Sequence, residues 1–209
     1  MKKGLIVGLV VLMTMVAAPS VYATRYDFTS DHCTGGCGTP PFGYVELLQN
    51  LTTVDVTVHL NSPNQFVKTG SGDFMAFKFN ATGVVLGDIT VDAHTPALAP
   101  ATGTFNGDGT GDFSFGIECP TCQNGADGMF NTDILFHVAN AVIADLTGSN
   151  NLGNIFVADI ISVAANGGTG NTGAVDVTGT PVPEPATMLL LGSGLIGLAG
   201  YGRKKFFKK

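Results

Sequence analysis

Thr53-Val-Asp-Val-Thr-Val-His-Leu60 alternates strictly between two kinds of side chain. Val54, Val56, Val58 and Leu60 fall on one side of an extended chain, and Thr53, Asp55, Thr57 and His59 on the other. A strand sends successive side chains to opposite faces, so this pattern predicts a strand with one face in a core and one in water. Further strands are expected at 44–48, 66–69, 74–79, 84–91, 113–118, 134–142, 155–163 and 174–178. Met75, Phe77 and Phe79 would share a face, as would Val85, Ile89 and Val91. His59 and His137 belong on polar strand faces. Asn, Asp, Gly and Ser cluster between the runs as turn signals. One short helical turn is expected within 139–146, and 166–173 reads as a Gly-rich loop. Eight or so short strands predict an all-β fold, an antiparallel β-sandwich of jelly-roll type.

This body lies between two hydrophobic ends. Lys2 and Lys3 precede an apolar run, and Val21-Tyr22-Ala23 has small residues where a signal peptidase reads. Residues 1–23 are therefore expected to be a secretory signal peptide, cleaved between Ala23 and Thr24. At the other end stands Val182-Pro183-Glu184-Pro185, then residues 186–202 without a charge, then Arg203, Lys204 and Lys205. A spanning helix needs about 20 apolar residues, roughly 17–25. The run of 17 is short but can span when flanking Lys and Arg snorkel. The basic end places the C-terminus in the cytoplasm. Pro183 and Pro185 hold the preceding segment extended, the form a protease cleft accepts.

The three-part tail at 181–209 resembles the PEP-CTERM sorting signal of Gram-negative bacteria. That resemblance rests on Val182–Pro185, on the small-residue helix Leu-Gly-Ser-Gly-Leu-Ile-Gly-Leu-Ala-Gly and on the basic cluster. It implies handling by an exosortase, a membrane protease, after signal peptidase has acted. The precursor would be anchored transiently in the inner membrane and then passed to the cell surface or an extracellular matrix. Phe66-Val-Lys-Thr-Gly70, Phe77-Lys-Phe79 and Phe156-Val-Ala-Asp-Ile160 are similar, more loosely, to segments of the same group of surface proteins. That likeness implies no activity.

The expected exported domain, 24–180, has only Arg25, Lys68 and Lys78 against fifteen acids, a formal charge of −12. So acidic a surface argues against nucleic acid, which is held by Lys and Arg, and against anionic membranes. It suits solubility, divalent cations or a hydrated matrix such as exopolysaccharide.

Cys33, Cys37, Cys119 and Cys122 are expected to form disulfides in an exported chain. Three pairings exist. Proximity favours Cys33 with Cys37 and Cys119 with Cys122. Crossed pairs would close loops worth about 4.6 kcal/mol against about 2 for a local one. A redox Cys-x-x-Cys would need a following helix, and Gln-Asn-Gly-Ala-Asp-Gly reads as a turn. Four thiolates could hold zinc and their spacing allows it, but an exported chain meets an oxidising compartment.

Asn106, Asp108 and Asp112 place oxygens in a Gly-rich loop with a spacing that calcium loops use. The simpler reading is a hairpin turn, for which Asp-Gly is a leading dipeptide. No histidine lies in a metal-spaced pair, and neither a nucleophile motif nor a phosphate loop occurs. No enzyme and no cofactor is therefore expected. The sequence points to an exported structural or interaction protein of a surface, biofilm or exopolysaccharide matrix. The alternative is a carbohydrate- or calcium-binding β-sandwich module.

Overall fold

A computed structural model describes residues 22–69, 74–162, 171–179 and 181. The expected membrane helix, most of the sorting motif and most of the signal peptide lie outside these residues. Among the described residues no helix is long and apolar enough to cross a membrane.

The strands in chain order are β1 Tyr22–Phe28, β2 Ser30–Asp31, β3 Gly43–Asn50, β4 Thr53–Leu60, β5 Asn64–Phe66 and β6 Met75–Phe79. They continue as β7 Ile89–Val91, β8 Ala99–Asn106, β9 Asp112–Glu118, β10 Ile134–Ala139, β11 Asn154–Ser162 and β12 Asn171–Thr178. The one α-helical turn among the described residues, α1, is Ile143–Leu146. Every strand pairing is antiparallel.

The first sheet runs β1-β3-β4-β10-β7, and the second β2-β12-β11-β6-β9-β8 with β5 beside β11. The chain passes from one sheet to the other seven times along its length. The alternating segment is β4, at the centre of the first sheet, and its burial alternates as its sequence does. Val54, Val56 and Val58 face the core beside Val45 and Leu47 of β3 and Phe136 and Val138 of β10. The second sheet answers with Phe77 and Phe79 of β6, Phe156, Ala158 and Ile160 of β11, and Val175 and Val177 of β12.

Aromatic contacts tie the two layers. Phe136 lies 6.0 Å from Phe77 and 5.4 Å from Phe79, and Tyr26 meets Phe156 edge-on at 5.5 Å. Within the second sheet Phe77 stacks on Phe79 and Phe156, each at 5.8 Å. Such pairs add to the burial of large apolar surfaces, which is the main drive for folding here. The fold is thus β-sandwich-like.

Several expected strands change. Of 84–91 only Ile89–Val91 pairs, because Leu86–Asp88 forms a 3-10 turn. Asp88 accepts the Val85 N–H at 3.0 Å and its N–H reaches the Val85 carbonyl at 2.9 Å, so the turn closes on itself. Asn140 also donates to Asp88, and these two contacts, the Val85 N–H first, hold its carboxyl below the usual carboxylate range. Val85 is consequently exposed and shares no face with Ile89 and Val91. Strand β10 stops at Ala139 because Asn140 takes a positive φ of 55°. Phe74, at φ 56°, is excluded from β6.

The run at 66–69 leaves strand geometry after Phe66, and the 166–173 loop yields its last three residues to β12. Strand β8, absent from the sequence reading, contains Pro100 and Gly103, poor strand formers. It lies at the edge of its sheet, where proline is tolerated. Strand β1 was hidden beside the signal peptide, and it begins two residues before the expected cleavage point.

Candidate functional site

The tail leaves the sandwich directly from β12. Thr178 ends the strand, Gly179 follows with a φ of 114°, and Pro181 is exposed. The left-handed φ is one glycine takes without strain. Pro183, Glu184 and Pro185 therefore follow within a few residues of the last core strand. Val182, Arg203, Lys204 and Lys205 likewise lie outside the described residues, as does any membrane contact they make.

The cysteines pair locally. Cys33 bonds Cys37 and Cys119 bonds Cys122, with Cα separations of 5.4 and 5.3 Å. Both separations fall within the range disulfides adopt. Gly35 and Gly36, at φ 88° and 83°, let the first short loop turn back on itself. Asp31 lies near Cys33 and Cys37, the one close group of three residues of metal-ligating type found among the described residues. Its two sulfurs are spent in the disulfide, so they are not thiolate ligands.

The loop offered for calcium is the β8–β9 hairpin. Asn106 donates to Asp112 at 3.2 Å, and the Gly107 and Gly111 backbone closes the turn at 2.9 Å. Asp108 instead points to the Thr69 hydroxyl, at 3.2 Å. The loop's polar side chains are engaged with protein partners.

Two polar constellations were not legible as such in the sequence. The first lies on the outer face of the first sheet. His137 of β10 contacts Asp55 of β4 at 2.7 Å through Nδ1 and Asp92, just after β7, at 2.9 Å through Nε2. The register places His137 directly opposite Asp55. The hydrogen bond from the His137 ring to Asp55 raises the His137 pKa above its ordinary value; partial burial opposes this, and the charges of Asp92 and Asp55 add to it. On the same face His59 contacts Asp133 at 2.8 Å and lies 4.8 Å from the Tyr44 ring. Arg25 sits over Tyr44 at 3.8 Å and bonds Asp27 at 2.8 Å. Both expected polar-face histidines are thus on that face. A depression is lined by Asp92, His94, Thr132 and Asp133, which include the carboxylates that His137 and His59 contact.

The second constellation is buried on the outer face of the second sheet. Lys78 of β6 and Asp159 of β11 are both wholly buried, with Nζ and Oδ1 2.9 Å apart. The Thr69 hydroxyl is 2.6 Å from Asp159 Oδ2 and 3.2 Å from Asp108 Oδ2. Phe113, Val157 and Ala174 form a small apolar cluster on this side. Nearby Asp176, almost fully buried, takes His32 Nε2 at 2.8 Å on one oxygen. A signal for this cluster existed. Lys78 and Asp159 are single charges inside Met75-Ala-Phe-Lys-Phe79 and Phe156-Val-Ala-Asp-Ile160, runs apolar on both faces. Charges are buried almost only when paired.

No curated protein and no solved structure matches the chain. Residues 181–204 match the family model of the PEP-CTERM protein-sorting motif. The match covers the Pro-Glu-Pro segment, the apolar run and the first basic residues. The chain therefore carries a PEP-CTERM sorting motif, the C-terminal signal of exosortase substrates.

Proposed function

We propose that this chain is an exported surface protein whose β-sandwich is the cargo and whose tail is the delivery signal. Signal peptidase removes residues 1–23, the 186–202 helix anchors the precursor in the inner membrane, and an exosortase acts at Pro183-Glu184-Pro185. The observation that carries this reading is the sorting motif at 181–204, attached to an exposed Pro181 only a few residues after β12. Cleavage there would cost the sandwich none of its strands.

The delivered domain takes a structural or interaction role in a biofilm or exopolysaccharide matrix, in a sandwich whose repeated crossing between sheets is jelly-roll-like. Its charge of −12 keeps copies hydrated and apart. A second reading, a glycan-binding module, is favoured by the polar outer face of the first sheet around Tyr44, His59 and His137. A glycan array with the secreted protein tests that reading, and an array without signal removes it.

Replacing Pro183, Glu184 and Pro185 with alanines should leave the precursor in the inner-membrane fraction, with the tail uncleaved by intact mass. Release at the normal rate and with the normal mass would defeat the sorting reading.

A further inference from the structure

The geometry points to an intramolecular amide crosslink between the Lys78 side chain and the Asp159 carboxyl, formed without an enzyme inside the second sheet.

Four observations carry it. The reacting groups touch: Nζ lies 2.9 Å from Oδ1, and both side chains are wholly buried. They come from neighbouring antiparallel strands, Lys78 standing opposite Val157 with Asp159 two residues along the same face. The rigid sheet therefore holds amine and carboxyl as a preoriented pair, which removes most of the entropic barrier of a two-body reaction. Third, a buried ion pair is costly to desolvate and gains little over apolar replacements. Condensation removes both charges and leaves one neutral amide.

The fourth is the Thr69 hydroxyl. It carries one proton yet lies within bonding distance of two carboxyl oxygens, Asp159 Oδ2 at 2.6 Å and Asp108 Oδ2 at 3.2 Å. Ionised carboxylates only accept. The hydroxyl therefore links the reacting carboxyl to a second acid, a path by which a proton can reach it, and a carboxylic acid is the electrophile that amide formation requires.

The step balances without an oxidant or activating group. The ammonium of Lys78 passes one proton to the Asp159 carboxylate, giving an amine and a carboxylic acid. The nitrogen lone pair attacks Cγ and the C=O π pair moves to oxygen, giving a tetrahedral centre. The C–O bond to the hydroxyl then breaks, and that oxygen departs as water with a second proton from nitrogen. Thr69, in contact with the carboxyl, carries protons between it and Asp108 during the collapse. The product is one amide and one water.

The crosslink would join β6 to β11, and β11 forms a hairpin with β12, the strand from which the sorting tail leaves. A covalent tie there fixes the strand pair to which the membrane tail pulls. This inference does not depend on how the tail is processed.

The test is the mass of the full chain, expressed with its own signal, purified, reduced and denatured. The expected wild-type mass is lower by one water than the processed sequence requires. Trypsin should leave Lys78 uncleaved, and further digestion with chymotrypsin, which cuts between the two positions, should yield one branched peptide joining the segments that contain Lys78 and Asp159. Lys78→Met and Asp159→Leu should each restore the missing water and abolish the branched peptide. Thr69→Val should slow its appearance during incubation after purification. A wild-type chain at full mass, cleaved by trypsin at Lys78 after prolonged incubation at neutral pH, overturns the proposal and leaves the pair as an ion pair only. That outcome needs no variant to fold.

Discussion

His137 gives the sharpest test of the polar face. The perturbation is His137→Gln, which keeps a polar side chain on β10 and removes the titrating ring. In the fold the ring bridges Asp55 and Asp92 at 2.7 and 2.9 Å, and its pKa is raised, chiefly by the Asp55 hydrogen bond. A raised folded pKa stabilises the protonated form. The stabilisation is fully present below the unfolded value of about 6.5 and disappears as pH rises through the higher folded value.

Its size is limited by solvent. The His137 side chain is 42% exposed, Asp55 28% and Asp92 42%. Exposed ion pairs are worth about 0.2–1 kcal/mol, and two pairs sharing one ring come to about 1 kcal/mol at low salt. Urea unfolding of wild type and variant, followed by tyrosine fluorescence or circular dichroism, measures the difference. Near pH 5.5 the wild type should be more stable by about 1 kcal/mol, and near pH 8.5 this pH-dependent part should be gone. In about 1 M salt, where the screening length is about 3 Å, most of it should vanish near pH 5.5 as well. A difference that is flat across this window, or that grows with pH, would refute the bridging geometry.

Phe77, wholly buried between Phe79, Phe156 and Phe136, is the hub of the aromatic core, so Phe77→Ala should cost about 3–5 kcal/mol, read by urea unfolding. A loss below about 1 kcal/mol would mean that the two sheets do not close over this ring. Gly173 of β12 faces the backbone of the Cys33 segment, where a methyl group would come within 2.5 Å of Cys33 Cα and 2.8 Å of its nitrogen. Backbone cannot swing aside, so Gly173→Ala should lose at least about 1–3 kcal/mol. Gly148→Ala, with nothing within 4 Å, should stay within about 0.5 kcal/mol. Equal melting temperatures for the two alanine variants would contradict the packing of the first disulfide loop on β12.

How far the sequence could be read follows from which interactions are local. Strand β4 was legible because alternation is a one-strand property, and β6, β9 and β11 because apolar runs bounded by turns are also local. Strand β8 was not, because an edge position excuses Pro100 and Gly103, and an edge is a property of the sheet. The 84–91 run failed for a local reason: Asp88 competes for the Val85 N–H and wins over strand pairing. The cysteine pairing followed from proximity. The His137 bridge did not, since Asp55, Asp92 and His137 are brought together only by the β4-β10-β7 order. Lys78 and Asp159 stand 81 positions apart, and only the β6–β11 register makes them neighbours.

The same contacts decide how the domain presents its charge. Between residues 24 and 180 there are three bases, and all are engaged. Arg25 bonds Asp27 and covers Tyr44, Lys68 lies over Phe74 at 4.6 Å, and Lys78 is buried with Asp159. Positive charge is therefore folded inward or against rings, while most acids remain at the surface. The four histidines add to this picture, and three of them touch a carboxylate. Protonating all four moves the domain from −12 to −8, so the surface stays acidic throughout. While the carboxylates stay ionised, protonating the histidines weakens the repulsion between copies without removing it. Contacts between copies then need screening, divalent cations or apolar surface such as the exposed Leu51, Val85, Val142 and Leu152, because net charge alone keeps them apart.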